Sequence, residues 1–404
     1  MTAEIFPGQA HGRVTVPPSK SIAHRYLICA ALAEGESVIH HVPASDDLLA
    51  TCDALSALGV FIAWEGDTVR VRGTKRLVPT KELACRECGT TLRLMLPLCL
   101  LGEGEATLTG TPKLISRPLG VYERLCEEDG FSFLRGHDRV TVSGCLTPGV
   151  YRIPGNVSSQ FVSGLLLALS RLEGDSVIEM TTEVESRSYI GLTLDAMAAF
   201  GVNAEWTGER SLKVPGGKSY RAGEHAVEGD WSSAAFFEAL TALGDPVTVE
   251  GVTIASHQSD KACRTYFEAL RADTPTLSVR DCPDLAPILM TVAALSHGAT
   301  LTDTARLKLK ESDRGRAMAQ ELAKCGIRTI QEENSITVLS GTPVPPSEPL
   351  FGHNDHRIVM ALAILLTRVG GVIRNAEAVS KSYPEFFDHL AALQIKVETD
   401  KRNA

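Results

Sequence analysis

Hydrophobic positions along the chain gather into runs that recur. Six stretches, 26–60, 94–130, 164–202, 234–270, 289–327 and 360–395, share one grammar. An apolar helix gives way to a glycine, a short strand, a polar loop and a second helix. The first copy reads YLICAALAEGESVIHHVPASDDLLATCDALSALGV and the last MALAILLTRVGGVIRNAEAVSKSYPEFFDHLAALQI. Self-similarity of this kind marks a chain built from one repeated supersecondary unit. The first helix of each copy is apolar nearly all round, which predicts burial inside a domain. The second carries charge along one side, as at Glu123, Arg124, Glu127 and Glu128, and predicts an outer cover. Gly35, Gly104, Gly174, Gly244, Gly298 and Gly371 stand where the apolar helices should end. Glycine suits that place because it reaches the left-handed conformation without steric cost. Alternation over 68–71 and 335–339 predicts half-exposed strands.

The fourth copy departs from this grammar. After Ala269 it runs through RADTPTLSVRDCPDL without a full strand pair. An α/β unit repeated six times fits two domains of three units each. Such a repeat serves an enzyme or a binding scaffold equally well, so function must come from elsewhere in the sequence.

It comes from the helix starts. A helix N-terminus has unpaired N–H groups and a partial positive charge, so it attracts phosphates and carboxylates. The six apolar helices begin at Ser19-Lys20-Ser21, Cys88-Gly89-Thr90-Thr91, Val157-Ser158-Ser159-Gln160, Asp230-Trp231-Ser232-Ser233, Cys282-Pro283-Asp284 and Asn354-Asp355-His356-Arg357. Each is expected to supply a capping oxygen, and capping alone explains such residues at most helices. Cations in the first turn are harder to explain. Lys20, Arg25 and Arg93 oppose the helix dipole, and an anionic partner would justify them. Further basic residues follow short strands: Arg117, Arg187, Lys310, Arg314 and Lys381. Each alone reads as a solvated charge. KESDR is more informative, because Lys310 and Arg314 stand four apart around Glu311 and Asp313, at the predicted start of a helix. A carboxylate held among cations suits proton transfer, and Asp284 is a second candidate whose plainer role is capping after Pro283.

Composition narrows the partners. The 404 residues suffice for two domains with sizeable cores, and the net charge of −9 argues against a broad nucleic-acid-binding face. Any anion must therefore be held in local basic pockets. No stretch offers the ~20 uninterrupted apolar residues of a membrane span, and the N-terminus lacks a signal-like pattern, so the chain reads as cytoplasmic. Ten cysteines are scattered, with one tight pair at Cys85 and Cys88. No second Cys or His pair completes a metal site, so packing is the expected role of that pair.

The strings PPSKSIAHR, CGTTLRL, SRPLG, GNVSSQF, SRSYI, VEGDWSSAA, PDLAP, LKESDRG, NDHRIVMA and VSKSYPEF, in this order, span almost the whole chain. Together they resemble the 5-enolpyruvylshikimate-3-phosphate synthase family. The resemblance implies an α/β (α+β) fold of two domains, each of three βαβαββ units with buried parallel helices, and an active site in the interdomain cleft. It implies crossings near Pro18 and Glu228, so that 18–228 forms one domain and 1–17 with 229–404 the other. It implies transfer of the enolpyruvyl group of phosphoenolpyruvate to the 5-hydroxyl of shikimate 3-phosphate. Phosphate leaves through a tetrahedral intermediate, in a monomer, without metal or organic cofactor.

By the same resemblance, shikimate 3-phosphate would be held by Lys20, Ser21, Arg25, Ser158, Ser159, Gln160, Ser186, Tyr189, Asp284 and Lys310. Phosphoenolpyruvate would meet Lys20, Gly89, Arg117, Gln160, Arg314, Arg357 and Lys381. Asp284 would take the hydroxyl proton, Glu311 would protonate the methylene carbon, and Lys20 would assist at the bridging oxygen. Three positions depart from the family pattern: Glu87 and Arg306, where asparagine is common, and Leu94, where proline is common. Gly89 is retained, and the family's inhibitor glyphosate needs room there, so sensitivity is expected. UDP-N-acetylglucosamine enolpyruvyl transferases are the nearest rival. They usually carry a cysteine before their Arg-Pro pair and Lys-Asn near the N-terminus; here stand GTPKLISRP and Lys20-Ser21. RNA 3′-phosphate cyclases share the fold but need RNA contacts that the net charge does not favour.

Overall fold

The computed structural model describes residues 1–102 and 104–400. The chain divides into two compact units, Pro18–Glu228 and Met1–Pro17 with Gly229–Ala404. Each has its own apolar core. The six apolar runs form six buried helices: α1 (Lys20–Leu32), α2 (Gly89–Leu98), α3 (Ser159–Leu169), α4 (Trp231–Ala242), α5 (Ala286–Ala294) and α6 (His356–Val369). Among the described residues no helix is long and apolar enough to cross a membrane.

One sheet accompanies each buried helix. In the third unit, Val150–Ile153 pairs in parallel with Ser176–Met180, and α3 makes the crossover between them. Ser176–Met180 then pairs antiparallel with Ser211–Val214, which pairs antiparallel with Glu205–Trp206. The helix Arg187–Ala199 lies between in sequence. That is a βαβαββ unit, and the sheets of the second and fifth units repeat its order. A parallel pair needs a crossover, whereas the antiparallel pair needs only a short loop, and this sets the order.

At the two crossings the units exchange strands. Gly12–Thr15, which precedes α1 in sequence, pairs with Val247–Glu250 after α4. Glu224–Ala226, which precedes α4, pairs instead with Ala33–His40 after α1. Asp230 donates to the Pro17 carbonyl at 2.9 Å, and Ser19 donates to the Glu228 carbonyl at 2.7 Å. Gly229 is confined: a Cβ there would stand 2.2 Å from the Gly251 carbonyl oxygen. The fourth unit is indeed short. Among the described residues its sheet has only the Gly12–Thr15 and Val247–Glu250 strands, and the chain passes from the helix Cys263–Ala272 into Thr276–Ser278 of the fifth sheet.

Two local expectations need correction. All six repeat glycines have positive φ, but Gly35 lies within the strand Ala33–His40 and Gly371 opens the strand Gly371–Arg374. Gly104, Gly174 and Gly298 stand beyond the helix caps Cys99, Ser170 and Leu295, and Gly244 alone directly follows its cap, Leu243. α1 ends at Leu32 with an extended cap at Ala33, and Gly370 closes α6. Lys310 and Arg314 do not share a helix: Lys310 closes a 3-10 turn, and Arg314 begins the helix Arg314–Lys324.

A proline inside α2 helps to set the packing near the site. Pro97 has no N–H, so the Arg93 carbonyl one turn earlier loses its usual helical partner. The Tyr122 hydroxyl donates to that oxygen at 2.8 Å, within the core. Gly164 of α3 lets this approach happen, because a Cβ there would stand 2.5 Å from the Tyr122 Oη and 2.7 Å from the Arg93 oxygen. Gly191, on the helix Arg187–Ala199, has open space where its Cβ would be. Helix propensity favours alanine over glycine by about 1 kcal/mol at either position. Gly191→Ala should therefore raise the urea midpoint. Gly164→Ala should lower it, since overpacking costs about 1–3 kcal/mol. Equal gains from both would show that the Tyr122 contact does not constrain α3.

Candidate active site

In the Pro18–Glu228 unit, side-chain contacts gather the starts of α1, α2 and α3. Lys20, half-buried at the first position of α1, pairs with Asp47 at 2.8 Å. Asp47 belongs to the helix Asp46–Ala57, and its carbonyl accepts from the Thr91 hydroxyl of α2 at 3.5 Å. On α2, Thr90 Oγ1 accepts from Gln160 Nε2 at 2.8 Å, and Arg93 Nη1 donates to Gln160 Oε1 at 2.8 Å. Gln160 lies in the first turn of α3, so the three starts are linked through Asp47, Thr91, Arg93 and Gln160.

Gly89 is where two guanidinium groups converge. A Cβ at that position would stand 2.7 Å from Arg117 Nη1 and 3.2 Å from Arg93 Nη1. Any side chain would displace a cation, so glycine here keeps a close approach open to an anion. Ser158 caps α3 by accepting from Gln160 N, and Ser159 is buried beside it. α1 has no side-chain cap: Ser19 is buried with its hydroxyl unbonded, so its side chain caps none of the first N–H groups of that helix. Nor does a side-chain cap precede α5, and at α2 the capping atom is the Cys88 sulfur. The expectation of a capping oxygen at all six starts is therefore wrong at three.

Arg25 is buried one turn along α1 from Ser21. It donates from Nε to Thr193 Oγ1 at 2.7 Å, from Nη1 to the Ser21 carbonyl at 2.6 Å and from Nη2 to the Tyr189 carbonyl at 3.0 Å. Burial lowers it to about 10, which still leaves it charged at neutral pH. Ser186, buried and left-handed at φ 53, opens the helix that carries Tyr189. Arg187 lies apart, exposed, with its guanidinium 3.7 Å above the Trp206 ring.

The second cluster lies in the other unit and centres on Arg314. This buried guanidinium holds Asp284 Oδ1 at 2.6 Å, Glu311 Oε2 at 2.7 Å and Asp355 Oδ2 at 2.9 Å. Asp284 also meets Arg357 at 2.9 Å and Lys310 at 3.3 Å. Asp355, fully buried, caps α6 through the Arg357 N–H at 3.0 Å and accepts from the Ser312 hydroxyl at 3.0 Å. Burial pushes Asp284 up, but Arg357, Lys310 and Arg314 outweigh it and hold the carboxyl well below its usual range. Asp284 is thus an ion-pair partner rather than a helix cap. Lys381 donates to the Asn354 carbonyl at 2.9 Å, in a loop where His353 and Asn354 are both left-handed.

The departures fall as follows. Glu87 accepts from the Thr111 hydroxyl at 3.5 Å, Leu94 is buried in the core, and Arg306 donates to the Arg280 carbonyl at 2.8 Å. Two further members carry no signal in the sequence. Asp47 looks like an ordinary acid in a first helical turn, and only its contact with Lys20 sets it apart. Asp260, buried at the Ser232 hydroxyl, sits in no motif at all.

The family model for EPSP synthase (3-phosphoshikimate 1-carboxyvinyltransferase) matches residues 6–390. A 3-phosphoshikimate 1-carboxyvinyltransferase of Clostridium kluyveri is 38% identical over 412 residues, covering 96% of both chains. One from Clostridium botulinum is 36% identical over 420 residues, covering 97% of both. Among solved structures, EPSP synthase from Acinetobacter baumannii superposes with a TM-score of 0.79 at 25% identity, over 98% of this chain and 100% of that one. The enolpyruvyl transferase NikO from Streptomyces tendae shares the fold, with a TM-score of 0.78 at 15% identity and 98% coverage of each chain.

Asp260 makes stability depend on pH. Burial first, then the Asp284 charge, push it from 3.8 up to about 7, against the pull of Arg357 and Ser232. Between those values the folded chain keeps a proton that the unfolded chain has lost, so this contribution to stability falls as pH rises. Asp260→Asn stays neutral throughout. Urea midpoints measured from about pH 5 to about pH 8 should fall less steeply in the variant. Parallel slopes would remove Asp260 as the cause.

Proposed function

From the premise that this chain belongs to the EPSP synthase family, we propose that its two side-chain clusters divide the work of one transfer reaction. The enolpyruvyl group of phosphoenolpyruvate passes to the 5-hydroxyl of shikimate 3-phosphate, and inorganic phosphate leaves. The chain is a transferase of aromatic amino acid biosynthesis. On our reading Pro18–Glu228 is one domain and 1–17 with 229–404 the other.

Shikimate 3-phosphate is held by Lys20, Ser21, Arg25, Ser158, Ser159, Gln160, Ser186, Tyr189, Asp284 and Lys310. Phosphoenolpyruvate is held by Lys20, Gly89, Arg117, Gln160, Arg314, Arg357 and Lys381. The uncapped start of α1 and the guanidinium pair over Gly89 support this assignment, because both favour a doubly charged anion. The observation that carries the acid–base reading is Arg314, which holds Asp284 and Glu311 at 2.6 and 2.7 Å on one guanidinium.

Asp284 takes the proton of the attacking hydroxyl while Glu311 delivers one to the methylene carbon, giving the tetrahedral intermediate. Loss of a methyl proton and of phosphate, with Lys20 acting at the bridging oxygen, restores the enol double bond. Held by three cations, Asp284 is a weak base. The phosphate and carboxylate of phosphoenolpyruvate compete for those cations, and drawing Arg357 away returns Asp284 towards ordinary basicity. Substrate binding thereby prepares the base. All these groups lie on one chain, so a monomer suffices, and we assign the cytoplasm as its compartment.

Phosphate release with phosphoenolpyruvate and shikimate 3-phosphate tests the assignment. Asp284→Asn, Glu311→Gln and Lys20→Met should each lower kcat by about 10²-fold or more. Ordinary turnover in these variants would sink the roles, and release with UDP-N-acetylglucosamine as acceptor would sink the substrate. Glyphosate should compete with phosphoenolpyruvate. Gly89→Ala, whose Cβ would displace Arg117 Nη1 from 2.7 Å, should weaken both ligands. Inhibition absent at millimolar glyphosate would refute the first expectation.

A further inference from the structure

A set of metal-binding atoms lies beside Lys20, outside the substrate-binding and catalytic roles assigned above. One ring nitrogen of His24, a carboxylate oxygen of Asp47 and the Cys88 sulfur lie within 4.8 Å of one another. His24 is one turn along α1 from Lys20 and, like Cys88, is 1% exposed. Imidazole, carboxylate and thiolate are all zinc donors, and the thiolate discriminates against hard cations such as magnesium.

Hydrogen bonds orient the imidazole. Thr51 Oγ1 lies 2.7 Å from both His24 Nδ1 and Thr91 Oγ1. A proton on Nδ1 therefore has the Thr51 oxygen as its acceptor, whereas Nε2 is buried without a hydrogen-bond partner. A proton on Nε2 would be a buried donor with no acceptor, so the lone pair is favoured there. An imidazole oriented by a hydrogen bond at one nitrogen and bare at the other is the form that ligates metals.

We propose that His24 Nε2, Asp47 and Cys88 form a site for one soft divalent cation, such as zinc or cadmium, that inhibits the enzyme by taking Asp47 from Lys20. The cation replaces the Cys88 thiol proton, which goes to solvent. It also claims the carboxylate that now lies 2.8 Å from Lys20 Nζ; its two positive charges balance the carboxylate and the thiolate, so the ammonium loses its counter-charge. The inhibitory part rests on the role given to Lys20 above; the binding part does not.

The test uses the full chain with Cys145→Ser as background, since Cys145 is the exposed thiol among the described residues. Cadmium chloride is titrated while the ultraviolet thiolate-to-cadmium band and phosphate release are followed together. One equivalent should raise the band and abolish release, and a chelator should reverse both. Cys88→Ser, which keeps a good helix cap, should lose the band and the inhibition. Thr51→Val, which frees the His24 tautomer, should weaken cadmium binding about tenfold or more. A band that persists in Cys88→Ser, or that needs a large excess of metal, would overturn the site. A Cys88-dependent band with release unchanged would overturn the competition with Lys20 and leave the substrate assignment standing.

Discussion

A buried guanidinium cannot be left without counter-charge, and Arg314 meets that constraint with three carboxylates. Each comes from a different place in the chain: Asp284 before α5, Glu311 from the loop before Arg314 itself, and Asp355 from the cap of α6. The ion cluster is therefore a tie between structural elements as well as a chemical device. Removing any one acid would leave charge unbalanced inside the core, while the cations around Asp284 keep it ionised and weakly basic. On the assignment proposed above, stability and catalysis would draw on the same contacts, and substrate anions would break favourable pairs in order to bind.

The other unit solves a different problem with the same repeat. Its three buried helices bring their N-terminal ends towards one another, and each junction relies on a small departure from regularity. Pro97 opens a carbonyl that Tyr122 closes, Gly164 makes room for that closure, and Gly89 makes room for two arginines. None of these three would be chosen for helix propensity alone. What they provide is proximity, which a continuous helix of good formers would deny.

The repeat was legible because hydrophobic periodicity is local, and so were the starts of the six buried helices. Lys20, Gly89, Gln160, Asp284 and Arg314 could be singled out because charge or glycine stood where packing did not require it. Spacing misled where local structure changed within a few residues. Lys310 and Arg314 read as one helical face, yet a break at Glu311 separates them, and they converge on Asp284 from two elements. Gly35 read as a helix end, although α1 stops at Leu32 and the glycine continues into the strand. Asp47 and Asp260 stayed hidden because their meaning lies in partners far from or unrelated to their motif, Lys20 in one case and Ser232 in the other.

The exchange of strands at the crossings bears on the order in which the chain can be built. Residues 18–228 contain every strand of their three sheets, so that unit is complete once it has left the ribosome. The first seventeen residues are not so placed. Thr2–Ile5 pairs with Gly371–Arg374 and Val397–Thr399, at the far end of synthesis. Thr2–Ile5 must therefore wait, unpaired, until nearly the whole protein exists, although Gly12–Thr15 can pair once Val247–Glu250 has emerged, and contacts of such sequence separation form slowly. A chain cut short before Gly371 would carry one finished half and an amino-terminal strand without its partners.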